Sequence, residues 1–207
     1  MKIPRRGLCL VIAAPSGGGK SSITRALLEL EPDLCRSVSV TTREPRPGER
    51  EGVDYYFQDR ASFERSVQFG AFLEWAQVFG NFYGTPRAPV EEALAAGCDV
   101  AFDIDWQGFR ALRDALPGDV VGVFLLPPAL HALEKRLHQR RGDDPAEIAR
   151  RMRAARDEMS HWREFDYVIV NEDLDRAASD VRGILGAARL EARRQFGLRD
   201  FVHKLSE

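Results

Sequence analysis

The segment Ala14-Pro15-Ser16-Gly17-Gly18-Gly19-Lys20-Ser21 stands between an apolar run at residues 8–13 and a stretch of helical spacing at residues 22–30. Strand, glycine loop and helix in that order are the setting of a phosphate-binding loop, and the residues match G-x-x-x-x-G-K-[ST] except that Ala14 takes the place of the first glycine. Glycines let successive backbone N–H groups close around phosphate oxygens. Lys20 reaches the β- and γ-phosphates, and the Ser21 hydroxyl is a Mg²⁺ ligand of the right hardness. The positive end of the following helix adds to the attraction. The plainer reading is a glycine-rich turn with one exposed lysine; the flanking pattern favours a nucleoside triphosphate site.

Such a loop needs a parallel sheet behind it, and the rest of the chain supplies the pattern for one. Apolar runs at residues 8–13, 100–104, 120–126 and 167–170 read as buried strands. Residues 22–30, 89–96, 106–116, 130–139, 145–161 and 174–195 carry apolar side chains at three- and four-residue spacing and read as helices. Strands alternating with helices predict an α/β fold with a parallel sheet covered on both faces. With 207 residues, 44% of them hydrophobic, one core with insertions is expected rather than two independent domains.

Residues 36–85 break the alternation. This stretch is rich in Arg, Gly, Pro and aromatics, and reads as an inserted lobe within a core of residues 1–35 and 86–207. Pro45 and Pro47 disfavour helix there, while residues 53–57 and 71–78 are candidates for short strands. Arg140-Arg141-Gly142-Asp143-Asp144-Pro145, between two arginine-bearing helices, reads as a mobile loop in a lid at about residues 137–150.

The formal net charge of −2 argues against a nucleic-acid or membrane-surface partner. Cys9, Cys35 and Cys98 are too few and too far apart for a disulfide framework or a C-x-x-C site, and suit a reducing cytoplasm. The basic N-terminus followed by an apolar run faintly resembles a signal peptide, but cleavage there would destroy the loop at Ala14. No apolar stretch approaches the roughly 18 residues of a membrane-spanning helix.

Two constellations carry chemistry. Asp103 and Asp105 stand at the end of a buried strand and, being two residues apart, are expected on one face near the phosphate loop. Asp103 is then placed to hold water around Mg²⁺, and Asp105 to meet a second substrate. Their alternative role is capping the helix that begins at Trp106. The second constellation is arginine: Arg43 and Arg46 in the proline-rich segment, and Arg136, Arg140, Arg141, Arg150, Arg151 and Arg153 around the candidate lid. A guanidinium matches phosphate oxygens, and phosphoryl transfer needs positive charge over them. Any one of these arginines is as readily a solvated side chain paired with Glu134 or Glu147. Most phenylalanines of the lobe suit a small apolar core. Tyr55 and Tyr83 differ, since a phenol can donate to phosphate while its ring packs.

Together these residues resemble guanylate kinases, above all the bacterial enzymes. The resemblance runs from about residue 8 to at least residue 190. It rests on Ala-Pro-Ser-Gly-x-Gly-Lys-Ser, Ser-Val-Ser-x-Thr-Thr-Arg-x-Pro-Arg-Pro-Gly-Glu, Phe-Leu-Glu-Trp, Val-Phe-Gly-Asn-x-Tyr-Gly-Thr, Asp-Ile-Asp-Trp-Gln-Gly, Leu-Pro-Pro and Ile-Val-Asn-Glu-Asp-Leu, in that order. It implies a P-loop NTPase core, an inserted GMP-binding lobe and a helical lid, with ATP and GMP (and dGMP) as substrates and Mg²⁺ accompanying ATP. Carried over, Arg43, Arg46, Tyr55 and Tyr83 hold the GMP phosphate, and Ser39, Glu74, Thr85 and Asp105 read the guanine. Ala14, Pro15, Ser16, Gly17, Gly18, Gly19, Lys20, Ser21 and Ser22 cradle ATP, with Asn171 near the adenine. Lys20, Arg43, Arg136, Arg140 and Arg151 act on the transferring phosphoryl group, and Ser21 and, through water, Asp103 serve Mg²⁺. The lid sequence departs from the Arg-Gly-Arg-Gly form of many relatives, which leaves open whether Arg140 or Arg141 reaches the phosphates. A homo-oligomer also stays open. Two other readings share the fold: a non-catalytic guanylate-kinase-like binding module, which would lack Lys20 or the lid arginines, and a kinase of another phosphorylated acceptor such as a ribosyl bisphosphate.

Overall fold

A computed structural model describes residues 3–78, 80–138 and 145–207. Along the chain run β1 (Cys9–Ala13), α1 (Lys20–Leu30), β2 (Leu34–Arg36), β3 (Val40–Thr41), β4 (Tyr56–Phe57), α2 (Arg60–Gln68), β5 (Phe72–Val78) and β6 (Asn81–Pro86). They are followed by α3 (Arg87–Ala95), β7 (Asp99–Phe102), α4 (Trp106–Ala115), β8 (Val120–Leu126), α5 (Leu130–His138), α6 (Pro145–Ser160), β9 (Tyr167–Val170), α7 (Leu174–Arg189) and α8 (Leu198–Leu205).

Five strands form a parallel sheet in the order β2-β7-β1-β8-β9. β1 is central and wholly buried, which is why it reads as an unbroken apolar run. Its side chains alternate between two cores. Leu10 and Ile12 pack with Ile23 and Leu27 of α1 and Val181 and Leu185 of α7, while Cys9, Val11 and Ala13 pack with Val90 and Leu94 of α3 and Phe109 and Leu112 of α4. Burying each such Leu, Ile or Phe contributes about 1.5–3 kcal/mol. Burial also pushes the Cys9 thiol up to about 12, so it behaves as a small apolar side chain.

One glycine in β8 is required by this packing. A Cβ on Gly122 would lie 2.4 Å from the Phe109 ring, and that ring stacks on Phe165 at 4.0 Å between centroids. At the opposite end of the strands, the fully buried Asp99 accepts hydrogen bonds from both Nη atoms of Arg5 (2.7 and 2.8 Å), from Arg189 Nε (2.7 Å) and from the Leu8 amide (3.0 Å). Arg189 also bonds Glu31 at the end of α1. The N-terminal segment, β7, α1 and α7 are thus tied by one ionic cluster whose charges are mutually compensated.

Residues 40–86 form a second sheet, in the order β4-β3-β6-β5, of mixed sense. Its core is Val40, Phe63, Phe72 and Phe82, with the Phe63 ring stacked on Phe72 and Phe82. α2 closes this sheet and is capped by Asp59, which accepts from the Ser62 amide at 2.8 Å.

Several elements differ from the sequence reading. The strand expected at residues 53–57 is reduced to Tyr56–Phe57 and the one at 71–78 becomes Phe72–Val78, while β2, β3, β6, α2 and α8 have no counterpart in that reading. Arg36 ends β2 opposite Ala101 in the five-stranded sheet, so the first sheet extends one residue past the boundary drawn at residue 35. The helix expected over 174–195 stops at Arg189. Among the described residues no helix is long and apolar enough to cross a membrane, and the three cysteines are unbridged.

Candidate active site

The loop after β1 has the geometry its glycines permit. Gly17 and Gly19 adopt φ values of 85° and 100°, which L-residues rarely take, and a Cβ on Gly18 would lie 2.7 Å from that of Ala14. The Gly18 amide donates to the Pro15 carbonyl (2.7 Å), and the Lys20 ammonium donates to the Ala14 carbonyl (3.3 Å) across the loop. α1 starts at Lys20 with no side-chain cap, so its first-turn N–H groups face a small cavity lined by Pro15, Ser16, Gly17, Gly18, Gly19, Lys20, Ser21 and Ser22. That is the electrostatic setting for an anion.

Asn171, just past β9, is buried against this loop. Its amide Nδ2 donates to the Gly18 carbonyl at 2.9 Å and sits 2.5 Å from where a Gly19 Cβ would be. Its own carbonyl accepts from Arg136 Nη2 at 3.3 Å. On the other side Leu133 and Leu137 of α5 lie 3.2–3.3 Å from a Cβ built on Gly17. Arg136, one position before Leu137, is therefore carried to the loop by the packing of α5. Asn171, expected near the adenine, braces the loop backbone.

At the C-terminal end of β7, Asp103 Oδ2 accepts a 2.5 Å hydrogen bond from Ser21 Oγ. β7 itself ends at Phe102, so Asp103 and Asp105 follow the strand rather than complete it. Asp105 accepts from the Gly108 amide at 2.9 Å and caps α4, the alternative role weighed for it, while also lining a cavity. That cavity is walled by Ser39, Tyr55, Glu74, Tyr83, Asp103 and Asp105. It adjoins a second one lined by Ser21, Arg36, Ser37, Ser39 and Asp54, and Ser39, Tyr55, Asp103 and Ile104 are common to both. A continuous path thus leads from the phosphate loop to Glu74.

Glu74 projects from β5 and accepts from the hydroxyl of Thr85, its neighbour in the ladder, at 2.5 Å. Thr85 is fully buried. Burial, aided by the nearby Asp105 charge and opposed by the Thr85 bonds, raises the Glu74 carboxyl above the usual carboxylate range. A partly buried acid with two acceptor oxygens and one short internal donor is suited to a ligand that brings N–H groups.

Tyr55 and Tyr83 form another wall of the same cavity, with Arg43 beside them. Tyr55 and Tyr83 rings meet edge to face at 6.0 Å, and the Arg43 guanidinium lies 5.4 Å from the Tyr55 centroid. Arg43 Nη2 donates to both oxygens of Glu49 (2.8 and 2.9 Å), and Glu49 also accepts the Arg46 amide at 2.8 Å. The Arg43 bond holds the Glu49 carboxyl below its ordinary range. Arg46 is exposed.

Three residues of this site were not assigned a role from sequence: Glu49, which steadies Arg43; Arg36, which lines the adjoining cavity; and Glu158 of α6, which accepts the Ser16 amide at 2.9 Å. The Pro-Gly-Glu end of the proline-rich motif was the available signal for Glu49. Arg140 and Arg141 lie outside the described residues, and with them the question of which reaches the phosphates. Arg151 lies on α6, partly buried. A larger groove between β9 and α7 holds none of the residues predicted from sequence. Its single basic side chain, Arg176, faces Glu172, Asp173 and Asp180, a poor match to phosphate.

Comparison with known proteins agrees with this arrangement. The family model described as guanylate kinase matches residues 6–188. A guanylate kinase of Gluconobacter oxydans is 63% identical over 205 residues, covering 99% of each chain, and one of Granulibacter bethesdensis is 60% identical over 198 residues, covering 96% of this chain and 92% of its own. The crystal structure of guanylate kinase from Anaplasma phagocytophilum superposes with a TM-score of 0.78 at 38% identity, over 97% of this chain and 96% of that one. With the phosphate loop on the parallel sheet, the acidic pocket and arginine-tyrosine wall built largely by the second sheet, and relatives this similar over their full lengths, the chain belongs to the guanylate kinase family.

Proposed function

We propose that this chain transfers the γ-phosphoryl group of ATP to GMP, and to dGMP. The observation that carries the reading is the position of Glu74: a partly buried acid at the far end of a cavity that opens onto the phosphate loop. Guanine offers donors at N1 and its 2-amino group, which pair with a carboxylate; adenine has an unprotonated N1 and no 2-amino group, and would strand it. Ser39, Thr85 and Asp105 complete the base-reading end. Arg43, Tyr55, Tyr83 and Arg46 then hold the acceptor phosphate.

An oxygen of that phosphate attacks the γ-phosphorus as the bond to the β-γ bridging oxygen breaks, leaving ADP. The nucleophile is already anionic, so alignment and charge suffice without a strong base. Lys20 and the loop amides support the β- and γ-phosphates, and Arg136, Arg151 and a lid arginine spread positive charge over the transferring group. A hydroxyl and one carboxylate oxygen, Ser21 Oγ and Asp103 Oδ2, stand together beside the phosphate loop. Hard oxygen donors in this number suit Mg²⁺, which keeps most of its water and binds through few protein groups. When bound with ATP it supplies charge neutralisation on the phosphates.

An ADP-release assay with GMP, dGMP, AMP, UMP and ribose phosphates tests the reading. Turnover confined to GMP and dGMP is expected. Preference for a ribose phosphate, or no turnover at all, would overturn it.

A further inference from the structure

The bond between the Ser16 amide and Glu158 joins groups 142 residues apart, one in the phosphate loop and one near the end of α6. On α6, Ile148, Arg151, Ala155 and Glu158 follow one another at three- and four-residue steps and share one face. Ile148 and Ala155 are buried, at 6% and 0% exposure, so this face is turned inward. Arg151 is therefore carried on the side of the helix that Glu158 fastens to the loop.

A second contact fixes the same end. One turn beyond Glu158, the His161 ring lies flat on Trp106, with centroids 3.5 Å apart and planes 10° from parallel. Trp106 opens α4 and follows Asp105 of the acceptor cavity. The end of α6 is held between the phosphate loop and the wall of that cavity. A helix free at this end could turn about its axis, and a guanidinium two turns away would swing with it.

We propose that Glu158 is a positioning residue for phosphoryl transfer: by accepting the Ser16 amide it locks α6 in the rotation that presents Arg151 toward the phosphate loop. This rests on the phosphotransferase reading above and adds a residue to it. The Ser16 N–H, committed to Glu158, serves as an anchor, leaving the cradling of phosphate to the amides that follow. What matters in Glu158 is the acceptor oxygen. Its charge lies near Lys20 but also near Asp105 and Asp157, and close to where ATP brings further negative charge.

Steady-state kinetics with ATP and GMP, beside melting curves, test this on the parent, Glu158→Ala, Glu158→Gln, Arg151→Ala and the Arg151→Ala/Glu158→Ala pair. Because small misplacements of a catalytic group are costly, Glu158→Ala is expected to lower kcat by about tenfold or more, with KM for GMP within about twofold. Glu158→Gln retains a carbonyl acceptor and should stay within about threefold of the parent kcat. Added to Arg151→Ala, Glu158→Ala should cost less than about threefold more, since both act through one guanidinium. Equal losses in the Ala and Gln variants, an unaffected Ala variant, or full additivity in the pair would each overturn the proposal. If Glu158→Ala does not fold, Glu158→Asp, one methylene too short to reach Ser16, takes its place with the same expectation. A parent inactive on GMP overturns the proposed function and this inference with it; an active parent with an unaffected Glu158→Ala overturns the inference alone.

Discussion

Across the β5–β6 ladder, the Thr85 hydroxyl donates to Glu74 at 2.5 Å, so the acid at the far end of the cavity is oriented from within the protein. Glu74→Gln keeps the shape but loses the charge-assisted acceptor, and kcat/KM for GMP should fall by at least about tenfold, with a smaller effect on KM for ATP. Steady-state kinetics with each substrate varied would show it. Unchanged use of GMP would make Glu74 a structural residue of the lobe.

The same substitution has a pH signature in stability. Burial raises the Glu74 carboxyl in the folded chain, so the fold favours its protonated form, and that contribution is lost as pH rises through the raised value. Glu74→Gln should therefore melt above the parent at pH 8, with the gain shrinking toward pH 4. Melting curves across that range decide it; a gain that grows in acid would contradict the assigned direction.

Lys20→Ala should leave the melting temperature and GMP binding near those of the parent and abolish turnover. Its ammonium bonds the Ala14 carbonyl at 3.3 Å, a contact that water can replace, whereas the proposed role of Lys20 is to set charge directly on the phosphates. Calorimetric titration with GMP beside the kinetic assay separates the two. Retained kcat would remove Lys20 from the catalytic set.

Asn171→Ala deletes the donor to the buried Gly18 carbonyl. An unpaired buried acceptor costs about 1–3 kcal/mol, and here the cost falls on the phosphate loop, so both a lower melting temperature and a raised KM for ATP are expected. A change in melting temperature alone would mean that the loop holds its shape without the brace.

Gly122→Ala should destabilise the core by about 1–3 kcal/mol, because its methyl meets the Phe109 ring and the Phe109–Phe165 stack must shift. Denaturant titration gives the value.

The five-stranded sheet was readable where burial is two-sided. β1, β7 and β8 stand out as apolar runs, and α1, α3, α4 and α5 as periodic stretches between them; β9, read as a buried strand, is an apolar edge strand of which only Ile169 is buried. The second sheet was readable in β5 and part of β4, and elsewhere not, for local reasons. β3 and β4 are two residues each, too short for any period, and β6 contains Gly84 and Pro86, ordinarily strand breakers. Gly84 belongs there because a Cβ would press on the Phe72 and Phe63 rings at 3.0–3.1 Å, a tertiary fact with no local trace. In the site, Lys20, Ser21, Glu74 and Asp105 could be named because motifs carry them. Glu158 could not: its role depends on a bond spanning 142 residues, and on α6 it looks like any charged helical residue.

β2 and β7 are hydrogen-bonded neighbours, Leu34 opposite Asp99 and Arg36 opposite Ala101. The chain that builds the second sheet thus leaves the first from one strand and returns, by way of α3, to the strand beside it. The half that carries the phosphate loop keeps all five strands whatever the excursion contains. Acceptor choice is in this sense modular: a lineage could lengthen, reshape or exchange the excursion and alter which phosphate acceptor is read, while the register of the sheet that carries the phosphate loop stays as it is.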